Sequence, residues 1–435
     1  MTVDRDLWWL LRSQVAGDLR VLPATLRSMW SAEAAAQRCL SIADLRDLAA
    51  RRLPRPVFDF VDGAAGDELT ARRNQADMRE IRLVPRVLSG AAEIDLSTTV
   101  LGERFQVPIV GSPTGGTGVV HPSGEIAIAR ALTGAGAGYT LSTAATHTLQ
   151  DVAEAASGPL FFQLYLGPDR ALAARLMREA RERGFRALLL TVDTPGVGSR
   201  ERDQRHRFMA RRITFRSLVS GVGRPRWSYR ALAARHPLSP GLLAAGAGLA
   251  NGVRHAPLIS QQFDPRLSWK DIAWVQGQWD GPIALKGVLR PDDAVRAEQL
   301  GLAGVVVSNH GGRQFDRAPS AVAVLPAIVD AVGPGFEVLL DGGVRRGIDI
   351  VIALALGARA CLVGRPFVYG LGGAGEAGVR RAIDLLTTEL RLAMTLLGAS
   401  SLAELDRSWV HGLAPAAPDQ HALSPTVHAS GKRSQ

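Results

Sequence analysis

Short runs of apolar residues recur along the chain, and each ends in glycine, proline, serine, threonine or a charged residue. Most are followed by a segment whose apolar positions repeat with the period of a helix. Runs that are apolar throughout and alternate with helices are typical of parallel strands buried on both faces. Eight units of this kind predict an α/β fold, a (β/α)8 barrel. The runs are VPIVGSP (107–113), GYTLST (138–143), PLFFQLY (159–165), ALLLTVD (187–193), PIALKGV (282–288), GVVVSNH (304–310), EVLLDGG (337–343) and ACLVGRP (360–366).

Three segments lie outside this alternation of strands and helices, which places the barrel domain at 39–410. Residues 1–38 combine tryptophans, leucines and arginines and predict an amphipathic helical extension, packed either on the protein itself or on a membrane surface. A long insertion, residues 202–266, follows the fourth strand, and both an active-site lid and a basic membrane-contact segment are open interpretations. Residues 411–435 are rich in proline, alanine, serine and histidine and predict a disordered tail.

Composition narrows the class of protein. The 435 residues are 46% hydrophobic, which is ample for a large core. Cys39 and Cys361 are the only cysteines, so a disulfide scaffold and a cysteine-based metal site are excluded, and we expect no metal. The net charge of +10 comes from arginines spread along the chain, without the basic block expected for a nucleic-acid partner. Neither a transmembrane run nor a signal peptide is predicted, which favours a cytoplasmic protein, with peripheral contact on the inner face of the membrane left open.

Polar residues stand at the carboxyl ends of the predicted strands, where active sites of such barrels lie. Lys286 is the clearest case, because a lysine buried in PIALKGV costs several kcal/mol unless an anion meets it. The last two units add DGGVRRG and VGRP, whose glycines let backbone N–H groups approach an oxyanion. Arg345 and Arg365 supply charge for a phosphate, and Asp341 is suited to accept hydrogen bonds from polyol hydroxyls. These features predict a phosphate- and polyol-bearing cofactor. Reduced flavin mononucleotide (FMN) fits, because Lys286 would stabilise its negative charge.

A third group of residues predicts chemistry on a small acid. His310 suits general base work near neutral pH, and Asp193 can orient its imidazole and stabilise the protonated form. Arg200 and Arg313 can bind a substrate carboxylate through paired hydrogen bonds. Together they predict proton abstraction from, and two-electron oxidation of, a small carboxylic acid.

The motifs SNHGGRQ, LDGGVRRG, TVDTP and FFQLY closely resemble those of the FMN-dependent α-hydroxy acid dehydrogenase/oxidase family, over about residues 40–410. The resemblance implies that His310 is the base and Asp193 its partner, and that Arg313 and Arg200 bind the substrate carboxylate. It places Tyr165 beside the reacting carbon of the substrate. The flavin contacts that it implies are Pro113, Thr114, Gly115, Ser142, Gln163, Thr191, Lys286 and Ser308, with Asp341, Gly342, Gly343, Arg345, Gly364 and Arg365 at the ribityl chain and phosphate.

One position departs from the family pattern. In VFDFVDGAAGDE, Phe60 stands where the family has a tyrosine whose hydroxyl helps to hold the substrate carboxylate. A phenyl ring cannot donate a hydrogen bond, so carboxylate binding is expected to be weaker by about 0.5–1.5 kcal/mol, or the substrate differs.

The insertion indicates the subtype. With RPRW and FDPRLSWKDIAWVQGQWDGP, it is similar to that of membrane-associated bacterial L-lactate dehydrogenases, which pass electrons to quinone or the respiratory chain. Gly115, where many oxidases carry alanine, agrees with this. The resemblance implies FMN-dependent oxidation of an L-2-hydroxy acid, L-lactate to pyruvate first, by a homo-oligomer, a tetramer in the family. The alternatives are an oxygen-dependent oxidase of mandelate- or glycolate-like acids and a non-catalytic barrel that binds FMN or a phosphorylated metabolite.

Overall fold

The structure is a computed structural model that describes residues 31–206, 223–233 and 263–412. The predictions made for residues 1–30, for most of the insertion and for residues 413–435 lie outside this part of the chain.

Eight parallel strands close into a barrel, in the order β10-β3-β4-β5-β6-β7-β8-β9. This confirms the predicted (β/α)8 fold, and each strand falls within one of the eight apolar runs or begins at most two residues before it. A short antiparallel hairpin, β1 and β2, precedes the barrel. The strands are β1 (Thr98–Val100), β2 (Glu103–Phe105), β3 (Ile109–Gly111), β4 (Gly138–Ser142), β5 (Leu160–Tyr165), β6 (Phe185–Thr191), β7 (Ile283–Val288), β8 (Gly304–Val307), β9 (Glu337–Asp341) and β10 (Cys361–Val363).

Burial on both faces explains why the strands are apolar throughout. Phe161 and Leu189 belong to the cluster inside the barrel, whereas Phe162 and Leu188 belong to the larger cluster that includes residues of the outer helices. The β1–β2 hairpin contributes Phe105 to the interior cluster, where its ring meets that of Phe161 edge to face at 5.9 Å. The barrel is therefore a packed core, and its chemistry is confined to the strand ends.

Helices surround the barrel, and two of them lead the chain towards its mouth. The side chain of Ser41 caps α2 by accepting a hydrogen bond from the Asp44 amide, and Leu45 is fully buried beneath it. Helix α3 follows after Pro54 and carries Phe60. The helices are α1 (Ala32–Gln37), α2 (Ile42–Arg52), α3 (Arg55–Asp62), α4 (Leu69–Glu80), α5 (Thr117–Val120), α6 (Gly124–Gly134), α7 (Leu149–Ala155), α8 (Arg170–Glu182), α9 (Glu201–His206), α10 (Pro225–Ala233), α11 (Lys270–Gln276), α12 (Pro291–Gln299), α13 (Ala321–Ala331), α14 (Gly347–Ala355), α15 (Arg365–Ala374) and α16 (Glu376–Leu397).

The insertion contains two of these helices, α9 and α10, and both contact the barrel domain. In α10, Trp227 donates its indole N–H to the carbonyl of Val119 at 3.0 Å. Arg224, just before it, donates to the carbonyl of Leu53. Helix α10 therefore lies against the body of the protein beside α5, whereas α9 lies against α3 through Arg202 and His206.

Candidate active site

Register brings the polar strand ends together. Ser142 on β4 is paired with Gln163 on β5, and Thr191 on β6 is paired with Lys286 on β7. The Gln163 amide oxygen accepts from the Ser142 hydroxyl at 3.0 Å, and its nitrogen donates to Thr191 Oγ1 at 2.9 Å. Four residues from separate motifs thus form one polar row at the barrel mouth.

Lys286 continues this row into a closed network. Its Nζ lies 2.6 Å from Asp341 Oδ2 and 3.1 Å from Ser308 Oγ, and only 3% of the residue is exposed. Burial raises the pKa of Asp341, but the Lys286 charge and the hydrogen bonds from Lys286 and Ser308 outweigh it, so the pKa is below its usual value. The prediction that an anion must meet the buried Lys286 is met within the protein by Asp341. A carboxylate two strands away in the barrel compensates the charge.

The loops after β9 and β10 have the conformation that their glycines predict. Gly342 and Gly343 have φ values of 110° and 91°, which residues with a side chain rarely adopt. A Cβ on Gly343 would lie 2.3 Å from the carbonyl oxygen of Asn74, so this glycine also lets α4 approach closely.

The two arginines of these loops donate to main-chain carbonyls in the part of the chain that the structure describes. Arg345 donates to Val344, and Arg365 donates to Val61, Gly63 and Gly311. Burial, with a contribution from Arg365, lowers the pKa of Arg345. Positive charge is therefore concentrated at this edge, as expected for a phosphate site.

His310 and Asp193 meet at the centre of the mouth. His310 Nδ1 lies 3.0 Å from Asp193 Oδ1, as predicted. Asp193 can approach because Gly287, with φ of 110°, has no side chain: a Cβ there would lie 2.5 Å from the Asp193 carboxyl carbon. His310 itself has φ of 58°, an uncommon value for a residue other than glycine. The Ser308 hydroxyl accepts its amide hydrogen at 3.0 Å and helps to fix this turn.

The predicted carboxylate ligands lie on the outer side of this pair. Arg313 donates to the carbonyls of Phe60 and Gly63, at 2.9 and 2.7 Å, and its guanidinium lies 5.4 Å from the centre of the Phe60 ring. Burial, and then the charges of Arg200 and Arg365, lower the pKa of Arg313 to about 9. An anion bound here would relieve this repulsion between cations.

Tyr165 and Phe263 form the apolar wall of the same space. Their rings meet edge to face at 5.3 Å. Burial, then the Asp193 charge, raises the pKa of the Tyr165 hydroxyl, so it is a hydrogen-bond donor at neutral pH.

The first predicted flavin loop, Pro113 to Gly115, follows β3 and is half-buried at the mouth. Gly115 lies against the loop after β4: a Cβ on it would be 2.7 Å from Ala144 Cβ. Gly364, at the end of β10, faces the loop after β3, with Thr114 3.5 Å from the position of its missing Cβ.

Four residues of the site have no signal of their own in the sequence. Ser112 donates to Asp341 Oδ1 at 3.1 Å. Asn309 and Asn74 exchange side-chain amide hydrogen bonds at 2.7 and 2.8 Å and tie the His310 loop to α4. Asp203 lies 3.6 Å from Arg200, and burial raises its pKa in spite of that charge. Of these four residues, only Asn309 lies within a motif that the sequence analysis used, SNHGGRQ.

Comparisons with known proteins agree with this geometry. The family model described as FMN-dependent dehydrogenase matches residues 49–412. An L-lactate dehydrogenase of Caulobacter sp. (strain K31) is 41% identical over 369 residues, 85% of this chain and 97% of the relative. A peroxisomal (S)-2-hydroxy-acid oxidase of Oryza sativa subsp. japonica is 42% identical over 371 residues, 85% of this chain and 95% of that protein. The crystal structure of a monotopic membrane protein, (S)-mandelate dehydrogenase, superposes with a TM-score of 0.80 at 35% identity, covering 86% of this chain and 99% of that one.

The residues present fit FMN. The cradle for a phosphate consists of Gly342 and Gly364 with the two buried guanidinium groups of Arg345 and Arg365. The polar row from Ser142 to Lys286 offers both donors and acceptors to a heterocyclic ring. The loops after β9 and β10 would hold the phosphate of FMN, and the row at β4–β7 would hold its ring.

Proposed function

The chain belongs to the FMN-dependent dehydrogenase family, whose members oxidise L-2-hydroxy acids, and we propose that it converts L-lactate to pyruvate. The observation that carries this proposal is the His310–Asp193 pair, 3.0 Å apart, beside the cationic pair of Arg313 and Arg200. A base and a carboxylate site on one side of a flavin are what this oxidation needs.

Each residue has a defined task in this proposal. Arg313 and Arg200 bind the substrate carboxylate and so fix the distance of the reacting carbon from the base. His310 takes a proton from the substrate, and Asp193, which holds its Nδ1, stabilises the imidazolium that results. The Tyr165 hydroxyl donates a hydrogen bond to the substrate. When bound, FMN would supply the acceptor for the two electrons and for the second hydrogen that the substrate loses.

We propose that a quinone in the membrane reoxidises the protein, which would then bind the membrane peripherally. Support comes from α10, which carries an exposed Arg226 and a 74% exposed Tyr229, a combination suited to anionic headgroups. In the described residues, no helix has the length and apolarity needed to cross a bilayer.

We also propose that the protein is a homo-oligomer, with the family's tetramer as the first expectation. Val87 and Leu88 are 85% and 102% exposed, and Leu396 on α16 is 67% exposed. Large apolar side chains at the surface are candidates for a contact between subunits. Light scattering of the purified holoprotein gives the number of subunits.

Anaerobic addition of L-lactate to the purified holoprotein tests the activity. We expect the visible absorbance of the oxidised flavin to be lost with L-lactate and retained with D-lactate, the matched control. If the flavin stays oxidised with L-lactate and with a panel of longer L-2-hydroxy acids, the non-catalytic FMN-binding barrel is the hypothesis that remains. Reoxidation by a soluble quinone, compared with air, then separates a dehydrogenase from an oxidase.

A mandelate-like substrate is the second candidate, and small residues beside Phe60 favour it. A Cβ on Gly116 would lie 3.9 Å from the Phe60 ring, and Ala144 is the next side chain along this wall. The Phe60 ring and the Tyr165–Phe263 pair offer aromatic surface suited to an aryl group. Faster flavin reduction by (S)-mandelate than by L-lactate would decide for this candidate.

A further inference from the structure

We propose that Arg202 is a positioning residue for the substrate-carboxylate site, an inference that rests on the proposed function. Arg202 touches neither Arg200 nor Arg313. It holds the short helix α9, which begins directly after Arg200, against the segment of chain that also fixes Arg313.

The guanidinium of Arg202 spans two acidic side chains on the main body. Its Nη1 lies 2.9 Å from Asp62 Oδ2, at the end of α3, and its Nη2 lies 2.6 Å from Glu68 Oε2. One turn later, His206 Nε2 lies 2.9 Å from Asp59 Oδ2. Charged hydrogen bonds therefore join α9 to α3 at two successive turns.

The acidic side of this contact is fixed independently of α9. Asp62 accepts two hydrogen bonds from Arg46, at 2.6 and 2.8 Å, and one from the Tyr369 hydroxyl at 2.8 Å. Only 7% of the Asp62 side chain and 2% of the Asp59 side chain are exposed. Arg202 therefore binds to carboxylates that are already held in place.

Helix α9 has little else to hold it. All six of its residues are polar and none is fully buried, so the apolar packing that fixes most helices contributes little to it. Its ion pairs are consequently the interactions that set its position. This distinguishes Arg202 from the usual surface arginine, whose ion pair contributes little.

The position of α9 bears directly on the two substrate arginines. The Gln204 amide donates to the Arg200 carbonyl, and the Gly66 amide donates to the Ser199 carbonyl at 2.9 Å. Arg313 donates to the Gly63 carbonyl at 2.7 Å. The segment of residues 63–68 thus binds Arg313 through the Gly63 carbonyl at one end and Arg202 through the Glu68 carboxylate at the other. Arg202 therefore sets the spacing between the two guanidinium groups that bind one carboxylate.

The test compares Arg202→Gln with Arg205→Gln in the full-length holoprotein. Arg205 is a matched control because it lies on the same helix and its substitution removes the same charge. In the described structure its ion pair is with Glu201 of the same helix, and 72% of its side chain is exposed. Oxalate binding, measured by calorimetry, reports on the carboxylate site without turnover. KM and kcat for the hydroxy acid and hydrogen exchange of the α9 amides complete the comparison.

We expect the oxalate Kd and KM of Arg202→Gln to rise roughly 10- to 100-fold, because small displacements of positioning groups have effects of this size. Because the base is untouched, kcat and FMN content are expected to change little, while α9 amides exchange faster. Arg205→Gln is expected to resemble the wild type. The oxalate Kd and KM of Arg202→Lys should lie between those of the wild type and those of Arg202→Gln, since a point charge cannot span two carboxylates.

Equal oxalate affinities for Arg202→Gln and Arg205→Gln would overturn the proposal, whatever the melting temperatures, because a purely stabilising role lowers Tm alone. A wild-type protein that binds no oxalate would overturn it as well. If oxalate binding responds as expected but L-lactate does not reduce the flavin, the positioning role stands and the proposed substrate is wrong.

Discussion

Two hydrogen-bonded side-chain pairs lie at the mouth of the barrel, and they differ in how completely they are enclosed. In the inner pair, Lys286 and Asp341, the side chains are 4% and 10% exposed, whereas in the outer pair, His310 and Asp193, they are 23% and 15% exposed. Both oxygens of Asp341 accept hydrogen bonds, from Lys286, Ser308 and Ser112. Oδ2 of Asp193 is buried without a partner in the described structure.

This difference suits the two pairs to different work. The inner pair is a closed network whose charges are compensated before any ligand binds, so it can keep one charge state and one geometry. The outer pair has an acceptor to spare, and its imidazole has a second nitrogen, Nε2, on the side away from Asp193. A pair of this kind can gain a proton and stabilise the new charge. We therefore propose that the first pair serves the cofactor side and that the second performs the proton transfer.

Replacing the base should have the largest effect on catalysis and none on the inner pair. For His310→Ala we expect flavin reduction by the hydroxy acid to slow by about 10²- to 10⁴-fold, the usual contribution of a general base. Bound FMN should be retained because Lys286 and Asp341 are untouched. Anaerobic stopped-flow absorbance measures the rate.

Phe315→Ala provides the control for this experiment, because Phe315 lies in the same loop but is 74% exposed. Its reduction rate is expected to equal that of the wild type. Undiminished reduction of the flavin in His310→Ala would show that the proton goes elsewhere.

Breaking the inner pair should instead destabilise the fold. In Lys286→Met the Asp341 carboxylate stays buried without its cation, which costs about 3–5 kcal/mol. Urea unfolding of the apoprotein measures this loss free of any stabilisation by bound FMN. We also expect the variant to bind FMN poorly.

The double variant Lys286→Met, Asp341→Leu sharpens the contrast, because it removes both charges at once. Its stability is expected to recover part of the loss, as replacement of whole buried pairs by apolar groups often does. A Lys286→Met protein as stable as the wild type would contradict the view that the inner pair is a closed network.

The fold and the outer pair were predictable from the sequence for a physical reason. Strands buried on both faces must be apolar throughout, and parallel strands bring all their carboxyl ends to one edge. A polar residue that ends such a run, as in SNHGG or TVD, can therefore be assigned to the mouth without knowing any contact. His310 and Asp193 were placed together in this way, although 117 residues separate them.

The inner pair and the contacts of Arg202 were not predictable in the same way. Lys286 and Asp341 both end strands, but which of eight strand ends face each other depends on side-chain length and on the intervening Ser308. The sequence therefore predicted an anion and a cofactor beside Lys286, but it did not select Asp341 as its partner. Arg202 meets Asp62 and Glu68 across more than 130 residues of chain. In an arginine-rich sequence, no pattern selects the arginine that bridges Asp62 and Glu68.

The smallest effect is expected at the edge of the outer site, where Phe60 replaces the family's tyrosine. The Phe60 carbonyl already accepts from Arg313, and this main-chain contact survives substitution of the ring.

Phe60→Tyr therefore adds one hydroxyl beside the carboxylate site and removes nothing. One neutral hydrogen bond contributes about 0.5–1.5 kcal/mol, so oxalate should bind roughly two- to tenfold more tightly by calorimetry. The reduction rate at saturating substrate should stay constant, because the distance between His310 and the reacting carbon is set by Arg313 and Arg200. Unchanged oxalate affinity, with a larger loss for aryl than for alkyl hydroxy acids, would show that the Phe60 ring faces the substrate side chain instead of its carboxylate.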